Sequence, residues 1–213
     1  MKGRREKLEE LVRRQEALYH QGSWREAADL DSARLDLERE VARDEGRPFA
    51  EALDWRPRWS GGAPLPHLLT NGLRTFLTYY VQEVDPTWDG TWTKVRDPSN
   101  GDPEPVAVAT FERCIAASLG PPNDEVLHGH PLHGSGLGGY DAHIVRSSRW
   151  IADLMAMNSV HEHFSQESWS ASNHYLLVFH DEVFECVAER YDIETITAPL
   201  PEILVDLAGR LNR

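Results

Sequence analysis

The sequence predicts an α+β protein: an N-terminal antiparallel helical hairpin followed by a mainly antiparallel β-sheet body with a few short helices. Three observations predict it. Apolar residues recur every three or four positions over residues 4–43. Further along, apolar runs alternate and come in pairs separated by turn residues. Strand and helix patterns do not alternate in the regular way that builds a parallel sheet. The expected organisation is a hairpin over 1–47, a linker over 48–63 and a body over 64–213.

In the hairpin, Leu8, Leu11, Val12, Leu18 and Tyr19 mark the first arm, and Trp24, Ala27, Ala28, Leu30, Leu35 and Leu37 the second. Gly22 suits the left-handed position that ends a helix, and Ser23 can cap the next. Glu26, three residues after Ser23, completes a capping-box spacing. Pro48, Pro57 and the pair Gly61-Gly62 stop any helix, so 48–63 reads as a hinge. Tryptophans recur at spacing four there, Trp55 with Trp59, and again at Trp88 and Trp92. They either plug the open ends of the sheet or stand exposed for a sugar or a partner.

Asn71-Gly72 between two apolar stretches is a strong hairpin signal, with 75–84 as its second arm. A short strand is expected over 91–96, and one long strand over 105–118, where valines, Phe111, Ile115 and alanines imply burial on both faces. Ser148 can cap a helix running to Met157, with Trp150, Ile151, Leu154 and Met155 at helical spacing. Residues 175–179 and 183–191 form a hairpin about His180-Asp181-Glu182, and Pro201 opens a final helix that runs to Leu211. The fragments around Phe111 and Phe184 echo one another, which would fit equivalent strands.

Composition bounds the function. With 213 residues the chain can build one core of ordinary size plus a small appendage. Its 40% hydrophobic content and seven tryptophans exclude wholesale disorder. No apolar run approaches the roughly 20 residues that span a bilayer, so no membrane role is expected. The first ten residues are charged throughout, without an apolar leader, and a cytoplasmic location is the expectation. Cys114 and Cys186 are too few for a disulfide framework and should be free, buried thiols. Residues 1–47 carry 11 basic and 12 acidic side chains, the remainder 11 and 23. So acidic a body repels phosphate backbones, and nucleic acid is not an expected partner.

The segment 123–143 carries four of the ten histidines among prolines and glycines and reads as a loop that cannot build a core. Its imidazoles and carboxylates would then be displayed in an open cleft. Asn123, Asp124, Glu125, His130 and Tyr140, with Trp150 beyond it, are the candidate binding residues. His128, His130 and His133 have the atoms for a metal, because imidazoles two apart in an extended segment point to one side. His161 and His163 form a second close pair that could complete such a centre, and a divalent ion such as zinc is the cofactor it would take. The histidine pairs of metallohydrolases are similar, although Leu132 stands where one such pattern needs an aspartate. Glu112 and Glu185, each following a phenylalanine, are candidate proton carriers if their strands are neighbours, with His180 a further candidate catalytic residue. Alternatively, these glutamates lie on a wet sheet face. No Gly-x-Ser-x-Gly elbow occurs, which leaves no sequence signal for a serine nucleophile.

The core Gly22-Ser23-Trp24-Arg25-Glu26-Ala27-Ala28-Asp29-Leu30 resembles a UVR-type helical hairpin and one tetratricopeptide unit. Both resemblances imply contact with a protein partner, or self-association, through residues 4–43. In the body, Phe111-Glu112-Arg113-Cys114, Pro122-Asn123-Asp124-Glu125-Val126, Gly129-His130-Pro131-Leu132, Ser148-Arg149-Trp150-Ile151, Asn158-Ser159-Val160-His161 and Phe179-His180-Asp181 resemble an uncharacterised family of actinobacterial hypothetical proteins, over about residues 64–196. That resemblance implies a bacterial origin and carries no catalytic residues.

Two functions therefore stand as expectations. One is a cytoplasmic binding or regulatory protein whose hairpin contacts a partner while the His/Gly-rich loop lines a ligand cleft. The other is a small, metal-dependent, hydrolase-like enzyme built on the histidine cluster. Under the first, removing residues 1–47 leaves the body folded.

Overall fold

The computed structural model describes residues 2–83 and 101–211. The expected strand at 91–96 and the pair Trp88 and Trp92 lie outside the described residues. Among these residues no helix is long and apolar enough to cross a membrane.

The N-terminal hairpin is present, with a broken second arm. Helix α1 (Lys2–His20) ends where Gly22 takes φ +76, and the Ser23 N–H closes back on the Leu18 carbonyl at 2.9 Å. That is the left-handed helix stop the sequence signalled. The expected cap at Ser23 does not form, since its side chain makes no capping hydrogen bond. The second arm is divided into α2 (Trp24–Ala28) and α3 (Asp31–Asp44). Buried Gln15 of α1 spans this break, donating to the Ala27 carbonyl at 2.9 Å and to Asp31 Oδ1 at 2.7 Å.

The body is two antiparallel sheets packed face to face. The first has the order β1-β6-β7-β8-β5, formed by Phe49–Ala52 (β1), Ala116–Gly120 (β5), Ala142–Arg146 (β6), Asn173–Val178 (β7) and Val183–Ala188 (β8). The second has the order β2-β3-β4-β9, formed by His67–Thr70 (β2), Thr75–Tyr80 (β3), Glu104–Glu112 (β4) and Arg190–Ala198 (β9). Period-two alternation sends Leu77, Tyr79, Ala107, Ala109 and Phe111 of one sheet, and Tyr175, Leu177, Phe184 and Cys186 of the other, into the shared core. The opposite faces are covered too. Helix α5 (Leu200–Leu211) lays Leu200, Ile203 and Leu207 on Phe76, Tyr80, Val106 and Val108. On the first sheet, Leu132 and Leu137 cover Ala50, Val145, Leu176, Val178 and Val183.

Several expectations change here. The segment read as a linker holds β1, paired with β6, and its Trp55 and Trp59 are buried in the core between the sheets. The Trp55 indole N–H donates to the Tyr79 hydroxyl at 2.8 Å, so these tryptophans are core residues and not exposed platforms. The long strand expected over 105–118 is two strands in different sheets. The chain turns at Arg113, whose φ of +50 no continuous strand accepts. The strand expected over 183–191 divides in the same way, β8 ending at Ala188 and β9 starting at Arg190 in the other sheet. The echoing fragments therefore lie in opposite sheets, and their Phe111 and Phe184 rings meet across the core at 5.2 Å.

The hairpin packs on the body through helix α3. Helix α3 buries Glu38, Val41 and Ala42, and Glu38 accepts the Gly136 N–H at 2.9 Å. Arg39 donates to the carbonyls of Ala50 (2.8 Å) and Gly136 (3.0 Å).

Candidate functional site

The segment 123–143 is folded. Asp124–Gly129 is a 3₁₀ turn capped by Asn123, whose side chain accepts the Val126 N–H at 3.3 Å. Leu132, Ser135 and Leu137 are buried, and residues 142–143 already belong to β6. Its four imidazoles consequently have different fates. His128 and His133 are exposed; His130 turns inward with 7% of its side chain exposed; His143 is sealed at 0%. His143 accepts the Gly138 N–H at 3.2 Å, and burial pushes its pKa down to about 4, so it is a neutral core residue. The open cleft lined by all four rings does not exist.

The candidate metal centre is not assembled. His161 and His163 are exposed, their rings 5.6 Å apart. Among the described residues no group of three or more His, Cys, Asp or Glu side chains is placed to hold an ion. Glu112 and Glu185 are not brought together either, for they lie on different sheets. Glu112 is exposed and paired with Arg190, on the wet face that was the alternative reading.

Asp124, Tyr140 and His180 do gather. The Tyr140 hydroxyl donates to Asp124 Oδ2 at 2.5 Å, His180 Nε2 lies 3.9 Å from the same oxygen, and His180 Nδ1 contacts Asp181 at 2.9 Å. The bond to Asp181 raises the His180 pKa, and the bond from Tyr140 lowers that of Asp124. Glu125 is exposed beside them. The cluster ties the 3₁₀ turn to the β7–β8 connection, with the Asp124 N–H also donating to the His180 carbonyl at 3.0 Å. Its bonds to Asp124 and Asp181 are exposed on the surface.

Glu185 has a different neighbourhood. In the β7–β8 register His174 faces Val187 and Leu176 faces Glu185, so His174 and Glu185 share the outer face of the first sheet. His174 Nε2 stands 2.7 Å from Glu185 Oε2, and His130 Nε2 is 3.7 Å from Oε1. Burial pushes the Glu185 carboxyl upward, but the neighbouring imidazoles of His130 and hydrogen-bonded His174 outweigh it and hold its pKa down at about 2. An ionised carboxylate only accepts, so His174 Nε2 carries the proton in the neutral ring and Nδ1 is left as an acceptor. Ser148 Oγ lies 2.8 Å from that Nδ1.

Backbone geometry aims Ser148. Strand β6 ends at Arg146, Ser147 takes φ +52, and α4 (Arg149–Asn158) begins immediately after Ser148. A strand, a left-handed residue and a helix make a sharp corner, here without the glycines that would have announced it. Ser148 Oγ caps α4 as expected, accepting the Ile151 N–H at 3.2 Å. Trp150 in the first turn sets its ring against His174, edge to face at 5.2 Å. A cavity of about 460 Å³ opens between α4 and the ends of β6 and β7, walled by Ser147, Ser148, Ile151, Met155, Asn173 and His174 among others.

Glu185, His130 and Trp150 stand out in the sequence as site residues, whereas His174 does not and Ser148 does so only as a cap. Alternation could have found both polar partners. In the hairpin about 180–182, His174 falls in phase with apolar Leu176 and Val178, and Glu185 with Val183 and Val187. An imidazole and a carboxylate on a buried face must pair. No family model matches the chain, and no curated protein or solved structure is similar to it.

Proposed function

We propose that the protein is a small hydrolase acting by acyl transfer, with Ser148 as nucleophile, His174 as general base and Glu185 as the group that fixes the imidazole. The observation that carries this reading is His174 bridging Ser148 Oγ (2.8 Å) and Glu185 Oε2 (2.7 Å) in the wall of a cavity. As Ser148 Oγ bonds to the carbonyl carbon of an ester, its proton passes to His174 Nδ1, and the imidazolium that forms is stabilised by Glu185. That proton then goes to the departing alkoxide. Water, deprotonated by the same nitrogen, releases the acid and restores Ser148. The N–H groups of Arg149 and Trp150, in the first turn of α4, have no acceptor within the helix and support a developing oxyanion beside Ser148. His130 shares the carboxylate and acts as a positioning residue for it.

The test is hydrolysis of p-nitrophenyl acetate by the full chain. Ser148→Ala and His174→Ala should each lower kcat by roughly a millionfold while circular dichroism is unchanged. Wild-type turnover by Ser148→Ala would overturn the assignment.

A second role is supported by the hairpin tip. Trp24 is 66% exposed and stacks obliquely on Tyr19 at 5.5 Å, an aromatic pair of the kind that anchors protein contacts. We infer that residues 4–43 contact a protein partner or a second copy, in a cytoplasmic protein whose two cysteines are free. Sedimentation of wild type and Trp24→Ala over a concentration series tests self-association. Identical monomeric behaviour of the two would remove that form of it.

A further inference from the structure

We propose that the cavity beside Ser148 seats a short, unbranched aliphatic acyl chain, an inference that rests on the hydrolase reading and names its substrate class. Helix α4 is the observation behind it. Its apolar positions Ile151, Leu154 and Met155 lie on one face at helical spacing, yet the helix buries none of its residues. Val145 of β6, which pairs with His174, lies on the same face of the sheet and lines the space beneath the helix. A helix that covers a sheet normally seals such side chains; here the apolar surface is left over, and the volume beneath it is about 460 Å³, within the range of small-molecule sites.

The lining is divided by chemistry. Val145, Ile151, Ala152 and Met155 supply the aliphatic part of it, with no Phe, Tyr or Trp ring. Arg146, Ser147, Ser148, Ser172, Asn173 and His174 form the polar end, the Arg146 guanidinium being paired with Glu51. A carbonyl carbon held at Ser148 Oγ therefore directs its hydrocarbon along the wall and leaves the alcohol of the ester at the polar end. Without an aromatic partner to stack on, a flat aryl group gains less there than a flexible chain, while pliable Met155 fits the contour of a methylene run.

The test separates seat from chemistry by measuring binding to Ser148→Ala, using butanamide, hexanamide and octanamide, neutral and inert mimics of the acyl half, with benzamide as the flat competitor. Ligand-observed NMR titration should show affinity rising roughly three- to fourfold per methylene until the cavity is filled. Ile151→Trp, and separately Ala152→Leu as the milder filling, should lower hexanamide affinity at least tenfold with unchanged circular dichroism. Affinity independent of chain length, benzamide bound as tightly as hexanamide, or no loss on filling would each overturn the acyl seat. Chain-length-dependent binding alongside full esterase activity of Ser148→Ala would keep the seat and sink the nucleophile.

Discussion

Gly136 sits so close to Arg39 that a Cβ added to it would lie 2.4 Å from Arg39 Cγ and 2.7 Å from the Ala50 carbonyl oxygen. At φ +83 the position also resists any L side chain. Gly136 is where the loop, α3 and β1 meet, through its N–H on Glu38 and its carbonyl on Arg39. Gly136→Ala should therefore cost about 3 kcal/mol in urea unfolding, from backbone strain added to a broken buried contact. The half-buried left-handed Gly134, with open space where its Cβ would lie, should tolerate alanine better, by about 2 kcal/mol.

The same contacts decide how the N-terminal region can be cut. Helix α1 reaches the rest of the protein through α2 and α3 and through ion pairs of Arg4 and Arg5 with Asp44 and Glu45. Helix α3 holds the body directly. Deleting residues 1–47 should lower the thermal midpoint by about 10 °C, because the Gly136 N–H and the Ala50 and Gly136 carbonyls lose their partners. Deleting 1–22 should cost well under half of that. Equal shifts in differential scanning calorimetry would contradict this division.

Buried His143 gives the fold a pH dependence of known sign. Its folded pKa of about 4 lies below the ordinary 6.5, so between those values the unfolded chain takes up a proton that the folded chain refuses. The stabilisation is complete above pH 6.5 and is lost as pH falls towards 4, amounting to about 3 kcal/mol over the window. His143→Gln keeps an acceptor for the Gly138 N–H and should flatten the fall in urea midpoint between pH 7 and pH 4. An unchanged slope in the variant would mean that another group carries it.

Replacing Glu185 by Gln tests the orienting role without emptying the site. The amide can present N–H to His174 Nε2, which turns the ring into the tautomer protonated at Nδ1 and removes the acceptor facing Ser148. Ester turnover should fall by about four orders of magnitude. Glu185 is held ionised down to a pKa of about 2, so wild-type activity should show no carboxylate step between pH 4 and pH 5. A step in that interval would assign the low-pH limb to Glu185 itself.

The sequence makes the local devices legible: Gly22 as a helix stop, Asn71-Gly72 as a turn, Ser148 as a cap, and antiparallel pairing of alternating runs. What it hides is where the chain changes sheet. Arg113 at φ +50 interrupts an apolar run without any glycine or proline to announce it. Glu189, between β8 and β9, is equally silent. The histidine-rich segment misleads for a related reason. Its glycines and prolines look like slack, whereas Leu127, Leu132 and Leu137 between them pin it to the sheet. His130 was legible as a site residue because it stands in that segment. His174 was not, because an imidazole at the start of an apolar strand resembles an edge until the register supplies Glu185.

Covalent capture with a fluorophosphonate tests the central claim most directly. Incubated with the full chain and followed by intact mass and peptide mapping, the reagent should add once per molecule, on Ser148. The adduct should vanish in Ser148→Ala and form far more slowly in His174→Ala. No adduct on the folded wild-type protein, or labelling that persists in Ser148→Ala, would show that the hydrogen bonds joining Ser148, His174 and Glu185 serve the fold and not a reaction.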